Sequence, residues 1–314
     1  LSTEARNGIL LAMADALDGG VAEIEAANKK DVDSGSEKGL SDAMLDRLRL
    51  DGGRIALMAG NLRDVAALDD PVGAVVKKWT APNGMEVSRV RAPIGVIGIV
   101  YEARPNVTTD TAALCIKAGN AVILRGGSEA IHSNTALARL MSGAGTRAGM
   151  PEGAVQFIET TERGAVDELL GLAGTVDLII ARGGQRLIKA VTEKSRIPVM
   201  KHYRGLCHIY AERSADVDMA VDIIENAKTN RPSTCNSVET VLVDGELAPS
   251  LLPALAQRLG DAGVEVRACK RSLAIIPDWQ AATEEDWDTE YLDLILAVKI
   301  IDGFKEAVDH IRRY

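Results

Sequence analysis

From Pro93 onward the chain alternates short, continuously apolar runs with helix-length amphipathic stretches, and this alternation restricts the fold more than any other feature. The apolar runs are 94–100, 121–124, 154–158, 176–181, 197–200 and 207–210, with amphipathic stretches such as 109–118 and 133–148 between them. Strands that are apolar on both faces and separated by helices predict a parallel sheet covered on both sides, the signature of a doubly wound, nucleotide-binding domain. A second round follows, with a helix over 217–229, strands at 238–243 and 264–266, a helix over 247–259 and a last strand over 294–301. At about 150 residues per domain, the chain accommodates two such domains.

Residues 1–68 carry helical periodicity instead. Ile9, Leu10, Met13 and Leu17 recur at helical spacing, as do Ile55, Met58, Leu62 and Val65. Two short segments, 74–80 and 85–92, are then joined by Ala81-Pro82-Asn83-Gly84, and Asn-Gly is a strong hairpin signal. The acidic, polar stretch 277–291 reads as a surface loop or a short ordered excursion.

Cys115, Cys207, Cys235 and Cys269 show neither paired nor zinc-type spacing. They read as reduced thiols of a cytoplasmic protein, with no metal site and no disulfide framework. Lys and Arg number 36 against 45 Asp and Glu, a balance of −9. That disfavours nucleic acid or a membrane surface as a general partner, while leaving room for a local basic pocket. Two Phe, three Trp and five Tyr leave the core to Ala, Val, Ile and Leu, and argue against base-stacking platforms. The longest apolar run, 94–101, falls far short of the about 20 residues that span a bilayer. An opening on Leu1 and an ending inside a helical pattern at Tyr314 read as a piece of a longer chain.

The usual dinucleotide fingerprint is absent, because Gly95-Val96-Ile97-Gly98 lies within a strand rather than at a turn into a helix. The candidate ligand turn is Arg125-Gly126-Gly127-Ser128. A cation ends a strand there, two glycines admit a ligand to the backbone, and a helix follows. An ordinary strand-to-helix turn fits the same spacing. Arg182-Gly183-Gly184 repeats the shape, and both turns face the carboxyl rim of one predicted sheet, where an anionic ligand would lie.

Cys235 sits in a donor-rich loop, Asn230-Arg231-Pro232-Ser233-Thr234-Cys235-Asn236-Ser237, between a helix and a strand. A nucleophilic thiol needs partial exposure, electropositive surroundings and N–H groups aimed at a developing oxyanion. A buried structural thiol is the competing reading. Cys115 and Cys207 fit that second reading, whereas Cys269, beside Lys270 and Arg271, reads as a surface thiol. Pro105 keeps Arg104 out of the helix, so Arg104 and Asn106 project from a fixed loop. Asn106 serves there as an N-cap or as an amide donor to an oxyanion. His132 and His310 are assigned to solvated helix faces and His208 to a strand.

The run from Arg91 to Ala130, RAPIGVIGIVYEARPNVTTDTAALCIKAGNAVILRGGSEA, closely resembles the gamma-glutamyl phosphate reductase (glutamate-5-semialdehyde dehydrogenase) family of the aldehyde dehydrogenase superfamily. So do IPVMKHYRGLCHIY from Ile197 and NAKTNRPSTCNSVET from Asn226, and the likeness extends over essentially the whole chain. Chains of this family continue well past Tyr314.

The resemblance implies an α/β, aldehyde dehydrogenase-like fold with two doubly wound parallel-sheet domains plus a small oligomerisation hairpin. Residues 1–227 would bind NADP(H), interrupted by the hairpin at about 75–92, and 228–314 would belong to the catalytic domain. Cys235 matches the family nucleophile. Arg125, Gly126, Gly127 and Ser128 match the turn that holds the adenosine end of the cofactor, and Arg182, Gly183 and Gly184 the turn near its pyrophosphate. Asn106 lies near the superfamily's oxyanion asparagine. Arg104, Lys228 and Arg231 are the candidates for the substrate's phosphate and carboxylate, because cationic forks match such groups. The general-base glutamate of hydrolytic relatives has no counterpart, and Lys201-His202 occupies its region, as suits an enzyme that protects a thioester from water. The implied reaction is NADPH-dependent reduction of L-glutamyl 5-phosphate to L-glutamate 5-semialdehyde and phosphate, in proline biosynthesis. The resemblance also implies a homo-oligomer, with channelling from glutamate 5-kinase. The alternatives are another acyl-phosphate or acyl-CoA reductase of the superfamily and a non-catalytic oligomerisation module.

Overall fold

The computed structural model describes residues 1–201 and 205–314, without the side chains of residues 42 and 43. It divides into two units, Leu1–Tyr203 and Arg204–Tyr314. The first unit opens with helices α1 (Thr3–Gly19), α2 (Val21–Glu37), α3 (Asp42–Leu48) and α4 (Gly52–Ala67). Ser2 and Asp51 start α1 and α4 by accepting the backbone N–H three residues on, which satisfies a donor that the first helical turn leaves open. The periodic apolar residues are the buried faces: Ile9, Leu10, Met13 and Leu17 of α1, and Ile55, Met58 and Leu62 of α4. The hairpin follows as β1 (Val75–Thr80) and β2 (Glu86–Val90), antiparallel with Thr80 opposite Glu86.

The rest of this unit alternates: β3 (Val96–Tyr101), α5 (Pro105–Lys117), β4 (Ala121–Arg125), α6 (Ile131–Arg147), β5 (Val155–Phe157), α7 (Gly164–Gly171), β6 (Leu178–Arg182), α8 (Gln185–Lys194) and β7 (Val199–Met200). Its five-stranded sheet is wholly parallel, in the order β5-β4-β3-β6-β7. Successive side chains of a strand point to opposite faces. Ile97, Ile99 and Tyr101 of β3 accordingly join the core with α1, α4, α5 and α6, and Val100 joins the core with α7 and α8. The chain runs outward from β3 to β5, then returns to the other side of β3 at β6. Such a reversal opens a crevice at the carboxyl ends of the flanking strands, where doubly wound sheets take their ligands.

The second unit comprises β8 (Cys207–Ala211), α9 (Val217–Thr229), β9 (Val238–Asp244), α10 (Ala248–Asp261), β10 (Glu265–Ala268), α11 (Lys270–Leu273), β11 (Gln280–Ala281), β12 (Ile295–Ile301) and α12 (Phe304–Arg313). Its sheet is also parallel, in the order β11-β10-β12-β9-β8. Every residue of β9 is buried. Where the sequence places a boundary at residue 227, the structure groups β8 and α9 with the second unit, because Val221 and Ile224 of α9 pack into its core. The acidic stretch 277–291 is an ordered excursion that adds β11 and buries Asp286 and Trp287. Among the described residues, no helix is long and apolar enough to cross a membrane.

Two side chains lie deeper than their sequence context suggests. Cys269 is half-buried: its Sγ lies 3.3 Å from Ser272 Oγ and accepts the Ile300 N–H at 3.4 Å. His310 is only 4% exposed, because α12 lays it against Trp287 and His208, with ring centroids 5.7 and 5.4 Å away. Lys299 Nζ lies 3.3 Å from its Nδ1. Burial, reinforced by Lys299, lowers the His310 pKa from 6.5 to about 4. As pH falls the unfolded chain therefore takes up this proton first. Stability is full above pH 6.5 and declines by about 2–3 kcal/mol as pH falls to about 4. Urea midpoints measured across that range are expected to fall less in His310→Phe than in the parent; an equal fall would remove His310 from the acid response.

Candidate active site

Three neighbouring strands of the second unit, β8, β9 and β12, converge at their amino-terminal rim on Cys235. The thiol is exposed, in the loop that enters β9. Two successive turns shape that loop, with the Thr234 N–H donating to the Arg231 carbonyl at 3.2 Å and the Ser237 N–H to the Thr234 carbonyl at 2.9 Å. Among the described residues, the Cys235 N–H has no partner. It remains available to a developing oxyanion. Arg231 is exposed on the same loop.

The approach to β8 forms one wall. A methyl group at Gly205 would lie 2.2 Å from the Cys235 carbonyl oxygen and 3.1 Å from Glu290 Oε1, so only glycine admits this contact. Cys207 is half-buried rather than a core thiol, and its Sγ donates to the same carbonyl at 3.5 Å. Burial, followed by the neighbouring Cys235, raises its pKa. Cys115 is buried as the sequence suggests, and burial pushes its thiol up to about 12.

Lys228 does not face a ligand. It is completely buried, and its Nζ donates to Glu239 Oε2 at 2.8 Å and to the Val238 carbonyl at 3.0 Å. Its sequence proximity to Cys235 is that of a helix end folded inward onto β9.

In the first unit, the two Arg-Gly-Gly turns flank β3 at the carboxyl rim. The Glu102 N–H donates to the Arg182 carbonyl at 3.1 Å, and Glu102 Oε1 accepts the Gly184 N–H at 2.7 Å. A carboxylate thus already sits where the start of α8 favours an anion. On the other side of β3, Ser128 begins a short 3-10 turn into α6. The first N–H groups of α6 are committed: Asp31 of α2 accepts those of His132 and Ser133 at 3.2 and 2.7 Å. The start of α6 therefore offers no free N–H seat for a phosphate, and what the Arg125 turn offers is its cation and a polar cradle. A methyl at Gly126 would lie 2.2 Å from Asn134 Nδ2. Both Asn134 Nδ2 and Arg125 Nε are buried without a partner among the described residues, while the other Arg125 nitrogens donate to the Gly126 and Thr161 carbonyls. Buried donors without partners are costly and uncommon. Their presence here fits the hydroxyl-rich adenosine half of a dinucleotide.

The β3–α5 loop departs from the N-cap reading. Arg104 holds the N-cap position in extended backbone (φ −139°, ψ 95°), as Pro105 dictates. Asn106 is already inside α5 and donates to Asp110 Oδ2, one turn on, at 3.0 Å. Lys201 is exposed, and His202 lies outside the described residues.

The sequence matches the aldehyde dehydrogenase family over residues 3–269. The gamma-glutamyl phosphate reductase of Moorella thermoacetica is 55% identical over 314 residues, covering all of this chain and 75% of the relative. The chain belongs to the gamma-glutamyl phosphate reductase branch of the aldehyde dehydrogenase family. The branch member of Geobacter metallireducens is 53% identical over 316 residues, covering the whole chain and 75% of that relative. The crystal structure of gamma-glutamyl phosphate reductase from Thermotoga maritima matches with a TM-score of 0.91 at 43% identity, over 100% of this chain and 76% of that one. An acetylating aldehyde dehydrogenase from Geobacillus thermoglucosidasius shares the fold, at TM-score 0.64 and 19% identity, over 99% of this chain and 74% of that one.

Within this aldehyde dehydrogenase, sequence reasoning singles out the Cys235 loop and both glycine turns but misses Glu102, Gly205 and Glu290. Each had a signal. Glu102 is a charge at the end of an apolar strand, Gly205 precedes another strand, and Glu290 closes the acidic stretch before β12.

Proposed function

We propose that this protein reduces L-glutamyl 5-phosphate to L-glutamate 5-semialdehyde with NADPH, releasing phosphate, through a thioester on Cys235. The observation that carries this reading is an exposed thiol whose own N–H is uncommitted among the described residues, in a chain so close to gamma-glutamyl phosphate reductases. The Cys235 thiolate attacks the acyl carbon, and a C–S bond forms as the C–O bond to phosphate breaks. The Cys235 N–H stabilises the tetrahedral oxyanion, an effect of about 3–4 kcal/mol per donor. Arg104 and Arg231 are assigned to the phosphate and carboxylate, which suit guanidinium forks. Asn106 Nδ2 gives one N–H to Asp110 and keeps a second, which is assigned to the oxyanion.

The cofactor, when bound, supplies hydride to the thioester carbon, and the C–S bond then breaks to release aldehyde and thiolate. Arg125, Gly126, Gly127 and Ser128 would hold its adenosine end, with Arg125 as the cation for a 2′-phosphate. Arg182, Gly183 and Gly184 would hold its pyrophosphate, which must displace the Glu102 carboxylate from Gly184. Arg125→Ala is expected to raise the KM for NADPH about tenfold with little change in kcat, because it removes uniform binding. An unchanged KM would show that the cofactor turn is misassigned.

The hairpin supports a homo-oligomer. Val75, Val76, Trp79, Met85 and Val90 are each 42–60% exposed on a two-stranded sheet. An isolated hairpin is marginal in water, and exposed apolar clusters of this kind mark contact surfaces. A second copy is the proposed partner; sedimentation of the intact protein as a monomer would contradict it.

A further inference from the structure

The loop that carries Cys235 leaves α9 after Thr229 and enters β9 at Val238, and its neck is closed by two buried charges. Lys228, on the last turn of α9, reaches across to the Val238 carbonyl and to Glu239 Oε2, and the two side chains are 0% and 1% exposed. The other carboxylate oxygen, Glu239 Oε1, accepts the Leu292 N–H at 3.3 Å. Leu292 follows Glu290 by two residues, and Glu290 borders the Gly205 backbone that touches the Cys235 carbonyl. Among the described residues, Leu292 is also the one non-glycine residue with positive φ, at 55°. Such backbone persists only where its surroundings hold it in place. One ion pair therefore ties together the end of α9, the start of β9 and the segment before β12.

Stability does not account for this arrangement. A buried ion pair is often matched or exceeded by apolar residues of the same volume, because desolvation offsets the attraction. What apolar residues lack is the hydrogen bonds to Val238 and Leu292. We propose that Lys228 and Glu239 are positioning residues for Cys235, holding the neck of its loop and the Glu290–Leu292 segment in register. The proposal rests on the reading of Cys235 as nucleophile.

Removing one partner leaves the other charge buried alone, and such a variant can fail to fold. The informative variant is Lys228→Met/Glu239→Leu, with Lys228→Met/Glu239→Gln as a second form that changes shape less. In the intact protein either double variant is expected to fold, with a urea midpoint lowered modestly by the bond lost at the Val238 carbonyl and, with leucine, at the Leu292 N–H. Its Cys235 is expected to react with iodoacetamide about fivefold more slowly, with a displaced pH profile, and kcat is expected to fall about tenfold at nearly constant KM. Parental alkylation and kcat in a stable double variant would overturn the positioning role. Full turnover by Cys235→Ser would instead remove the reading of the nucleophile, and the alkylation comparison distinguishes the two failures.

Discussion

Cys235→Ser is expected to lower turnover at least about 10³-fold while the folded state is unchanged. The serine hydroxyl is a far weaker nucleophile near neutral pH, and an oxygen ester yields to hydride less readily than a thioester. The structure predicts that the loop survives the exchange. Its turns are built from the backbone of Arg231, Thr234 and Ser237 rather than from the Cys235 side chain, which is exposed. Phosphate-dependent formation of NADPH from glutamate semialdehyde, beside a circular dichroism spectrum, separates the two effects. Parental turnover in the serine variant would take Cys235 out of the chemistry.

Gly205→Ala carries the second largest expected effect, through geometry alone. Its added methyl would lie 2.2 Å from the Cys235 carbonyl oxygen, well inside van der Waals contact. The start of β8 and the nucleophile loop must therefore part by roughly an ångström, and a displacement of that size at a reacting group costs about 10²-fold in rate. The loss should appear in kcat. The KM for NADPH should hold, since the turns assigned to the cofactor lie on other strands. A kcat within twofold of the parent would show that the carbonyl contact has no bearing on the thiol.

The strands of both sheets other than β11 are legible in the sequence as short apolar runs, most of them between helices, whereas β11 lies in the polar 277–291 stretch. The 217–229 helix is read to the residue, as α9. The hairpin is legible from its Asn-Gly turn, and the two Arg-Gly-Gly turns from their position after strands. What escapes is whatever depends on a partner distant in the chain. A lysine seven residues before a candidate nucleophile reads as a substrate ligand, and only the fold reveals Glu239 behind it. His310 stands among Lys, Asp and Arg on a short helix, a pattern that reads as solvated until β8 and the 285–288 turn are laid against it. The start of α6 reads as an anion site because Asp31, which occupies its N–H groups, lies about 100 residues earlier. Glu102 and Gly184 likewise meet only because the strand order places β3 beside β6.

The proposed chemistry passes through a covalent intermediate on Cys235. In the absence of phosphate, intact protein mixed with glutamate semialdehyde and NADP is expected to release about one NADPH per active site. It should then carry a glutamyl group on the peptide containing Cys235, visible by mass spectrometry and discharged when phosphate is added. Sustained phosphate-dependent turnover with Cys235 unmodified, or with the acyl group on another residue, would contradict it.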